Sequence, residues 1–422
     1  MLVQLLAACA PALHAPALRA PRGAARVRLS MTATATAYDT EAFNSVVQTT
    51  YGRFQLAVER GDGCTLIDTD GKSYLDFAAG IAACTLGHAN PRLADAVAAQ
   101  MRRVNHVSNL YYIPEQGKLA SRLVASSCLD RAFFCNSGAE ANEAAIKLAR
   151  RHAVTTRGID RPVIVTAMSS FHGRTLGALA ATGQTKYQDG FGPMLEGFEH
   201  VEYNDVDALR RVCAGLDGRL AAILLEPLQG EGGIRPGTKE YFAAARQICD
   251  ETGALLMVDE VQTGIGRTGT FWGHQQLDVE PDVLTSAKAL GGGVPIGAML
   301  TKSSCDVLTP GTHASTYGGN PLACAAANAV LDAIEDERLL DNVAARSAQL
   351  VDGIGAMRGR LPDGAITEVR GKGLILGIEL GDGVTAAQLC AETMRLGLLT
   401  VPAGLQVRRA RQPAAEPHTA PR

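Results

Sequence analysis

From residue 91 to about 330, short apolar runs alternate with longer stretches whose apolar residues recur at helical spacing. The runs fall at 131–135, 163–167, 221–225, 254–258 and 283–286. A wholly apolar segment such as Ala-Leu-Leu-Met-Val at 254–258 suits a strand buried on both faces. The alternation predicts an α/β fold, with a mostly parallel central sheet covered by helices. Residues 64–77 read as a hairpin turning at Asp70-Gly71. Residues 331–358 read as helix, with Leu331, Ile334 and Leu339 set among charges, and 365–380 as strand and turn. No internal repeat is visible.

Two strand ends carry the most specific chemistry. Asp259 follows the 254–258 run, so it sits where open α/β sheets place their ligands. A carboxylate after five apolar residues is buried and needs a partner; the plainer alternative is a cap for a helix or loop. Lys288 ends the 283–286 strand, just before Gly291-Gly292-Gly293. The chain has 40 basic residues, of which 32 are Arg and 8 are Lys, so a lysine among glycines and apolar residues stands out. A carboxylate and a lysine so placed point to pyridoxal phosphate. The lysine would hold the aldehyde as a Schiff base, and the aspartate would keep the pyridine nitrogen protonated.

Other segments add weaker signals. Asn136-Ser137-Gly138-Ala139-Glu140 joins a strand to a helix, whose first amides suit a phosphate; alone it also reads as a capping box. In Phe171-His172-Gly173-Arg174-Thr175, Phe171 can stack on a planar ring and Arg174 can pair with a carboxylate. The alternatives are a core aromatic and a surface arginine, and His172 is read as structural. Glu231 can pair with an arginine of the site, an exposed loop glutamate being the default. Gly264-Ile-Gly266-Arg-Thr-Gly269 matches a dinucleotide fingerprint formally, but it lacks the strand–turn–helix context and is rejected. Ser315 and Thr316, in a loop with Gly318-Gly319, can donate to phosphate oxygens.

Bulk properties narrow the class. The 422 residues suit two or three domains. With 46% apolar and 20% charged residues the profile is that of a globular enzyme, and a net charge of −3 gives no basic field for nucleic acid. No apolar run approaches the roughly 18 residues of a membrane span. Ten cysteines are scattered without a Cys-x-x-Cys pair, so neither zinc nor a thioredoxin motif is indicated; no metal site is expected. They read as reduced, small hydrophobes. Residues 1–38 lack Asp and Glu and carry Arg19, Arg22, Arg26 and Arg28, like an organelle transit peptide, mitochondrial or alternatively plastidic. Residues 408–422, rich in Arg, Ala and Pro, are expected to be a disordered tail.

In order along the chain stand Asn-Ser-Gly-Ala-Glu-Ala-Asn-Glu (136–143), Phe-His-Gly-Arg-Thr (171–175) and Glu-Pro-Leu-Gln-Gly-Glu-Gly-Gly (226–233). Val-Asp-Glu-Val-Gln-Thr-Gly-Ile-Gly-Arg-Thr-Gly (258–269), Ala-Lys-Ala-Leu-Gly-Gly-Gly (287–293) and His-Ala-Ser-Thr-Tyr-Gly-Gly-Asn-Pro (313–321) follow. With these six motifs the chain resembles the class III, fold-type I pyridoxal-phosphate aminotransferases over about residues 40 to 408. The resemblance implies a large cofactor-binding domain, 91–330. It also implies a smaller α+β domain built from 39–90 and 331–407.

It implies further that Lys288 forms the internal aldimine and that Ser137, Gly138 and Ala139 bind phosphate. Phe171 would stack on the ring, Val261 contact the cofactor, Asp259 pair with the pyridine nitrogen and Gln262 contact the phenolic oxygen. Thr316 would reach the cofactor phosphate of a neighbouring subunit, which requires a homodimer. Arg174, Ser315, Glu231 and the late Arg408 would bind substrate. After Arg408 the family continues with an apolar strand and a final helix, and this chain does not. The segments 287–298 and 86–91 are most similar to members acting on acetylornithine. The implied reaction moves the terminal amine of N2-acetyl-L-ornithine to 2-oxoglutarate with ping-pong kinetics, in arginine biosynthesis. Ornithine, succinylornithine and 4-aminobutyrate aminotransferases share the machinery, and a cofactor-binding protein without turnover is the alternative of another class.

Overall fold

The computed structural model describes residues 38–403 and the backbone of 407–410, in two units, 38–48 and 49 onward. The first unit holds the helix Thr40–Val46, capped by Asp39, whose carboxylate accepts from the Ala42 amide at 2.8 Å.

In the second unit a seven-stranded sheet runs in the order Arg131–Cys135, Gly297–Thr301, Val283–Ser286, Leu255–Asp259, Leu220–Leu225, Val163–Ala167, Phe198–Val201. All the apolar runs read from sequence are strands of this sheet. Leu255–Asp259 lies at its centre, parallel to both neighbours. Gly297–Thr301 is antiparallel to both of its own. Phe198–Val201 was not expected, because Glu199 and His200 interrupt its apolar pattern; as an edge strand it needs less of one.

Side chains alternate between the sheet's faces. Leu255 and Met257 pack with Ala145, Leu148 and Ala149 of the helix Gly138–Arg157. Leu256 and Val258 pack with Phe242, Ala245 and Ile248 of the helix Lys239–Thr252. Each such burial stabilises by about 1.5–3 kcal/mol. That double cover is why the strand reads as continuously apolar. It is also why Asp259, the first polar residue of the run, emerges only where the helices stop.

Two smaller sheets flank this core in sequence. One contains Val58–Asp62, Thr65–Asp68, Ser73–Asp76 and Leu398–Leu399. Its hairpin turns at Gly71 (φ +83°), and the Asp68 carboxylate accepts from the Asp70 and Lys72 amides and the Tyr74 hydroxyl. The other pairs Ile366–Lys372, Ile375–Leu380, Val407–Ala410 and Val401–Pro402. Residues 408–410 therefore lie in a strand, although a tail was expected from 408, because backbone pairing needs no apolar pattern. Residues 411–422 fall outside the described residues, as does all but the last position of the transit-peptide reading over 1–38. The expected helix over 331–358 is two helices, Pro321–Asp336 and Leu339–Arg358, parted at Arg338 with φ +51°.

Four consecutive residues, Ala79 to Ala82, hold φ of +47°, +59°, +57° and +68°. Three are not glycine, and each costs about 1–2 kcal/mol in this region. Asp76 offsets this by accepting from the Ala78 and Ala79 amides with one oxygen and pairing with His88 through the other. The nine described cysteines are all free and mostly buried. Among the described residues no helix is long and apolar enough to cross a membrane, and no cluster suits a metal ion.

Candidate active site

A cavity of about 520 Å3 opens at the C-terminal ends of the central strands. Asp259, at the end of its strand, is 4% exposed. Its Oδ2 accepts from Asn142 Nδ2 and pairs with His172 Nδ1, both at 2.8 Å, and its Oδ1 accepts from the Val261 amide at 3.0 Å. Asn142 is held in turn: its Oδ1 accepts from Thr285 Oγ1 at 2.8 Å, and its Nδ2 also reaches the His172 carbonyl at 2.7 Å. Burial alone would pull the His172 imidazole down, but the hydrogen bond and charge of Asp259 outweigh it and raise its pKa. The carboxylate is thus oriented from behind by two donors, with Oδ1 the less committed oxygen.

The helix Gly138–Arg157 begins against the same cavity. Ser137 caps it, accepting from the Glu140 amide at 3.2 Å. The Glu140 carboxylate turns back to the Asn136 amide at 2.7 Å, one residue short of the cap. This is half a capping box. It leaves the Gly138 and Ala139 amides without intrahelical acceptors, as at any helix start. Gly138 is required there: a Cβ would meet Val261 Cγ1 at 2.5 Å. Twenty residues of aligned peptide dipoles favour an anion at these amides.

Lys288 lines the cavity and is partly buried. Its φ is +43°, after Ala287 at φ −164° and ψ −141°. A non-glycine residue held in this region costs about 1–3 kcal/mol and commonly marks a functional position. Here the constraint turns the lysine into the cavity just as the chain leaves the Val283–Ser286 strand.

Phe171 and Arg174 form one wall. Gly173, with φ +140°, lies so close to the helix start that a Cβ would meet Ala139 Cβ at 2.7 Å. That contact fixes the turn on which Arg174 stands. Glu226 lies beneath, 4% exposed; its Oε2 accepts from the Phe171 amide at 3.2 Å and its Oε1 from the Gly230 amide at 3.4 Å. Its pKa is raised to about 7: burial pushes it up most and Asp259 adds to the rise, against the pull of His172 and of the two backbone donors.

Of the residues singled out from sequence, Ser137, Gly138, Ala139, Phe171, Arg174, Asp259, Val261, Gln262 and Lys288 line this one cavity. Ser315, Thr316 and Glu231 do not. Ser315 Oγ accepts from the Gly318 amide at 3.0 Å and Asn136 Nδ2 at 3.2 Å, shaping its own loop. Thr316 is exposed. The backbone of Arg408 pairs with Ile378, and its side chain lies outside the described residues. Sequence reasoning missed Asn142 and Glu226. The helical neighbours of Asn142, Ala145, Ile146 and Ala149, are all apolar and buried, but that pattern does not say what the amide binds. The rejected fingerprint at 264–269 is a succession of turns, followed by the short 3-10 helix Gly273–Leu277 and not by the α-helix a dinucleotide site needs.

These residues fit pyridoxal phosphate. The helix start offers amides to a phosphate, and the Gly138–Val261 contact leaves no room for a side chain between them. The buried Asp259 carboxylate suits a protonated ring nitrogen, and Lys288 supplies an amine in the same cavity.

The family model for class-III aminotransferases matches residues 46–415. An acetylornithine aminotransferase of Nostoc sp. is 56% identical over 385 residues, covering 90% of each chain. An N-acetylornithine aminotransferase from Stenotrophomonas maltophilia superposes with TM-score 0.74 at 39% identity, covering 85% of this chain and 90% of that one. An ornithine aminotransferase from Toxoplasma gondii superposes with TM-score 0.84 at 33% identity, covering 89% of each.

Proposed function

The chain belongs to the class-III aminotransferases, and from that premise we propose that it moves the terminal amino group of N2-acetyl-L-ornithine to 2-oxoglutarate. The products are N-acetyl-L-glutamate 5-semialdehyde and L-glutamate. The observation that carries this is the meeting of Lys288, Asp259 and the Gly138–Ala139 amides in one cavity.

Pyridoxal phosphate, when bound, supplies an aldehyde that takes up an amine and a protonated ring that accepts electrons. The chain's own residues do the rest. Gly138, Ala139 and Ser137 would bind the phosphate, and Phe171 and Val261 would contact the ring. Asp259, fixed by Asn142 and His172, would keep the ring nitrogen protonated. Gln262 would contact the phenolic oxygen. Lys288 Nζ would hold the cofactor's aldehyde and, when its amine is free, would act as the base that takes a proton from the substrate's amine-bearing carbon and later returns one. Arg174 would receive a substrate carboxylate; Arg408 is a second arginine proposed for that role, and Glu231 is proposed to pair with an arginine of the site.

The 56% identity to a named acetylornithine aminotransferase favours that substrate over ornithine. Turnover on acetylornithine and on ornithine, each with 2-oxoglutarate, tests this: a preference for ornithine overturns the assignment. Parallel double-reciprocal lines are expected, and intersecting lines refute the ping-pong scheme.

We further propose a homodimer in which Thr316 completes the partner's phosphate site. In its support, Thr316 is exposed, and its neighbours Leu110, Tyr111, Tyr112 and Tyr317 are 84%, 69%, 105% and 61% exposed. Asn109 Nδ2 ties the two segments together through the Ser315 and Gly318 carbonyls. Mixing inactive K288A and T316A subunits should restore activity, because each hybrid assembles one intact site; no recovery refutes the shared site. An organelle matrix, mitochondrial or plastidic, rests on the acid-free first 38 residues alone. Import of a fusion to that segment tests it.

A further inference from the structure

Arg174 is exposed at the cavity wall and makes no ion pair or hydrogen bond among the described residues. Its guanidinium is held by rings. Its Cζ lies 4.0 Å from the Tyr187 ring centroid and 5.4 Å from that of Phe171. The two rings meet edge to face, with centroids 5.8 Å apart and planes at 84°. Phe171 is fixed from below by the Glu226 carboxylate on its amide. Tyr187 stands on the short helix Thr185–Gln188, which Gln188 pins by donating to the Leu179 and Thr182 carbonyls at 3.2 and 2.9 Å.

We infer that Tyr187 is a positioning residue for substrate: with Phe171 it forms an aromatic clamp that presents the Arg174 guanidinium, edge outward, to the carboxylate of the amine donor. The inference deepens the proposed function and rests on its assignment of Arg174. The physical reason lies in what a clamp of this kind supplies. An exposed arginine in water samples many rotamers, and binding a carboxylate would require freezing them. A protein carboxylate beside Arg174 would orient it, but would also compete with the substrate. Aromatic faces hold the cation through its plane and leave the N–H edge unoccupied for bidentate pairing. Tyr187 itself is half-buried and does not line the cavity, so it acts through Arg174.

The experiment compares two donors on the holoenzyme: acetylornithine, and the same ω-amine lacking the α-carboxylate. Replacing Tyr187 by Leu removes the ring. It should raise KM for the carboxylated donor roughly fivefold, the size of a partly exposed cation–π contact, with little change in kcat. The carboxylate-free donor should be unaffected, as should the cofactor absorbance. Y187F keeps the ring and should restore the wild-type KM. R174K keeps the charge but loses the planar guanidinium, so it should raise KM like Y187L and add little to it in the double variant; R174K alone, measured with both donors, reads the same selective loss if Y187L folds poorly. An equal rise for both donors, full additivity of Y187L with R174K, or failure of Y187F to rescue overturns the inference. An unchanged KM in R174L strikes the assignment of Arg174 itself, a different failure from an unchanged KM in Y187L alone.

Discussion

Replacing Gly138 by Ala probes the phosphate cradle directly. The added Cβ would lie 2.5 Å from Val261 Cγ1, 2.9 Å from Cγ2 and 3.3 Å from Cβ. Normal carbon contacts are about 3.5–4.0 Å, so something must move by about 1 Å. Valine cannot rotate out of the way, because both γ-methyls already face the glycine and its χ1 is stiff. Either the Val261 backbone or the helix start must shift. Overpacking of this kind costs about 1–3 kcal/mol, while alanine in place of glycine returns up to about 1 kcal/mol in a helix. The net cost of about 1–2 kcal/mol falls on the Gly138 and Ala139 amides, and so on phosphate binding. Pyridoxal phosphate affinity of apo-G138A should fall roughly 5- to 30-fold by absorbance titration. The thermal midpoint of the apoprotein should move by only a few degrees. The second replacement V261A removes both γ-methyls and should recover most of the loss relative to V261A alone. Strict additivity of the two changes would show that the contact is not the cause and would refute the reasoning.

Further outcomes follow from the charged groups. D259A leaves His172 Nδ1 without an acceptor and Asn142 Nδ2 with only the His172 carbonyl, and should destabilise the apoprotein by roughly 3 kcal/mol. D259N, which keeps the volume and one acceptor, should cost less in the same denaturant titration; equal costs would count against the network. Glu226, raised from 4.5 to about 7, keeps a proton in the folded state that the unfolded chain has released. Stability should therefore fall as pH rises from about 4.5 to about 7, and E226Q should abolish that slope in pH-dependent melting. His88 is raised from 6.5 to about 9 by its hydrogen bonds to Asp76 and then Cys84, against burial. Its contribution is complete below about 6.5 and disappears as pH rises through about 9, so H88Q should flatten stability over that window. An unaltered slope in either variant would assign it to other groups.

What the sequence disclosed depended on whether one local pattern dominated. Residues 254–258 are buried on both faces, so an unbroken apolar run revealed the strand and the exposed chemistry at its end. The edge strand Phe198–Val201 and the antiparallel Gly297–Thr301 were hidden, the first by Glu199 and His200, the second by the glycines and proline before it. The cavity's wall was legible wherever a motif occupied a strand end, as at Ser137 to Ala139, Phe171, Asp259 and Lys288. Asn142 was not, because its partners Asp259, His172 and Thr285 come from three separate segments. Tyr187 was not, since a ring that matters through a cation 13 positions earlier (187 − 174) has no local signature. The left-handed turn Ala79–Ala82 was equally invisible, for three of its four residues are types that rarely adopt it.

The central claim is that the amine at position 288 carries the cofactor. Borohydride reduction of the purified holoenzyme, digestion and mass mapping measure it directly. The phosphopyridoxyl mass is expected on the peptide containing Lys288 and absent after reaction with acetylornithine in the absence of 2-oxoglutarate, when the nitrogen resides on the cofactor. A label on any of the other seven lysines, or none at all with the yellow cofactor bound, would contradict the account.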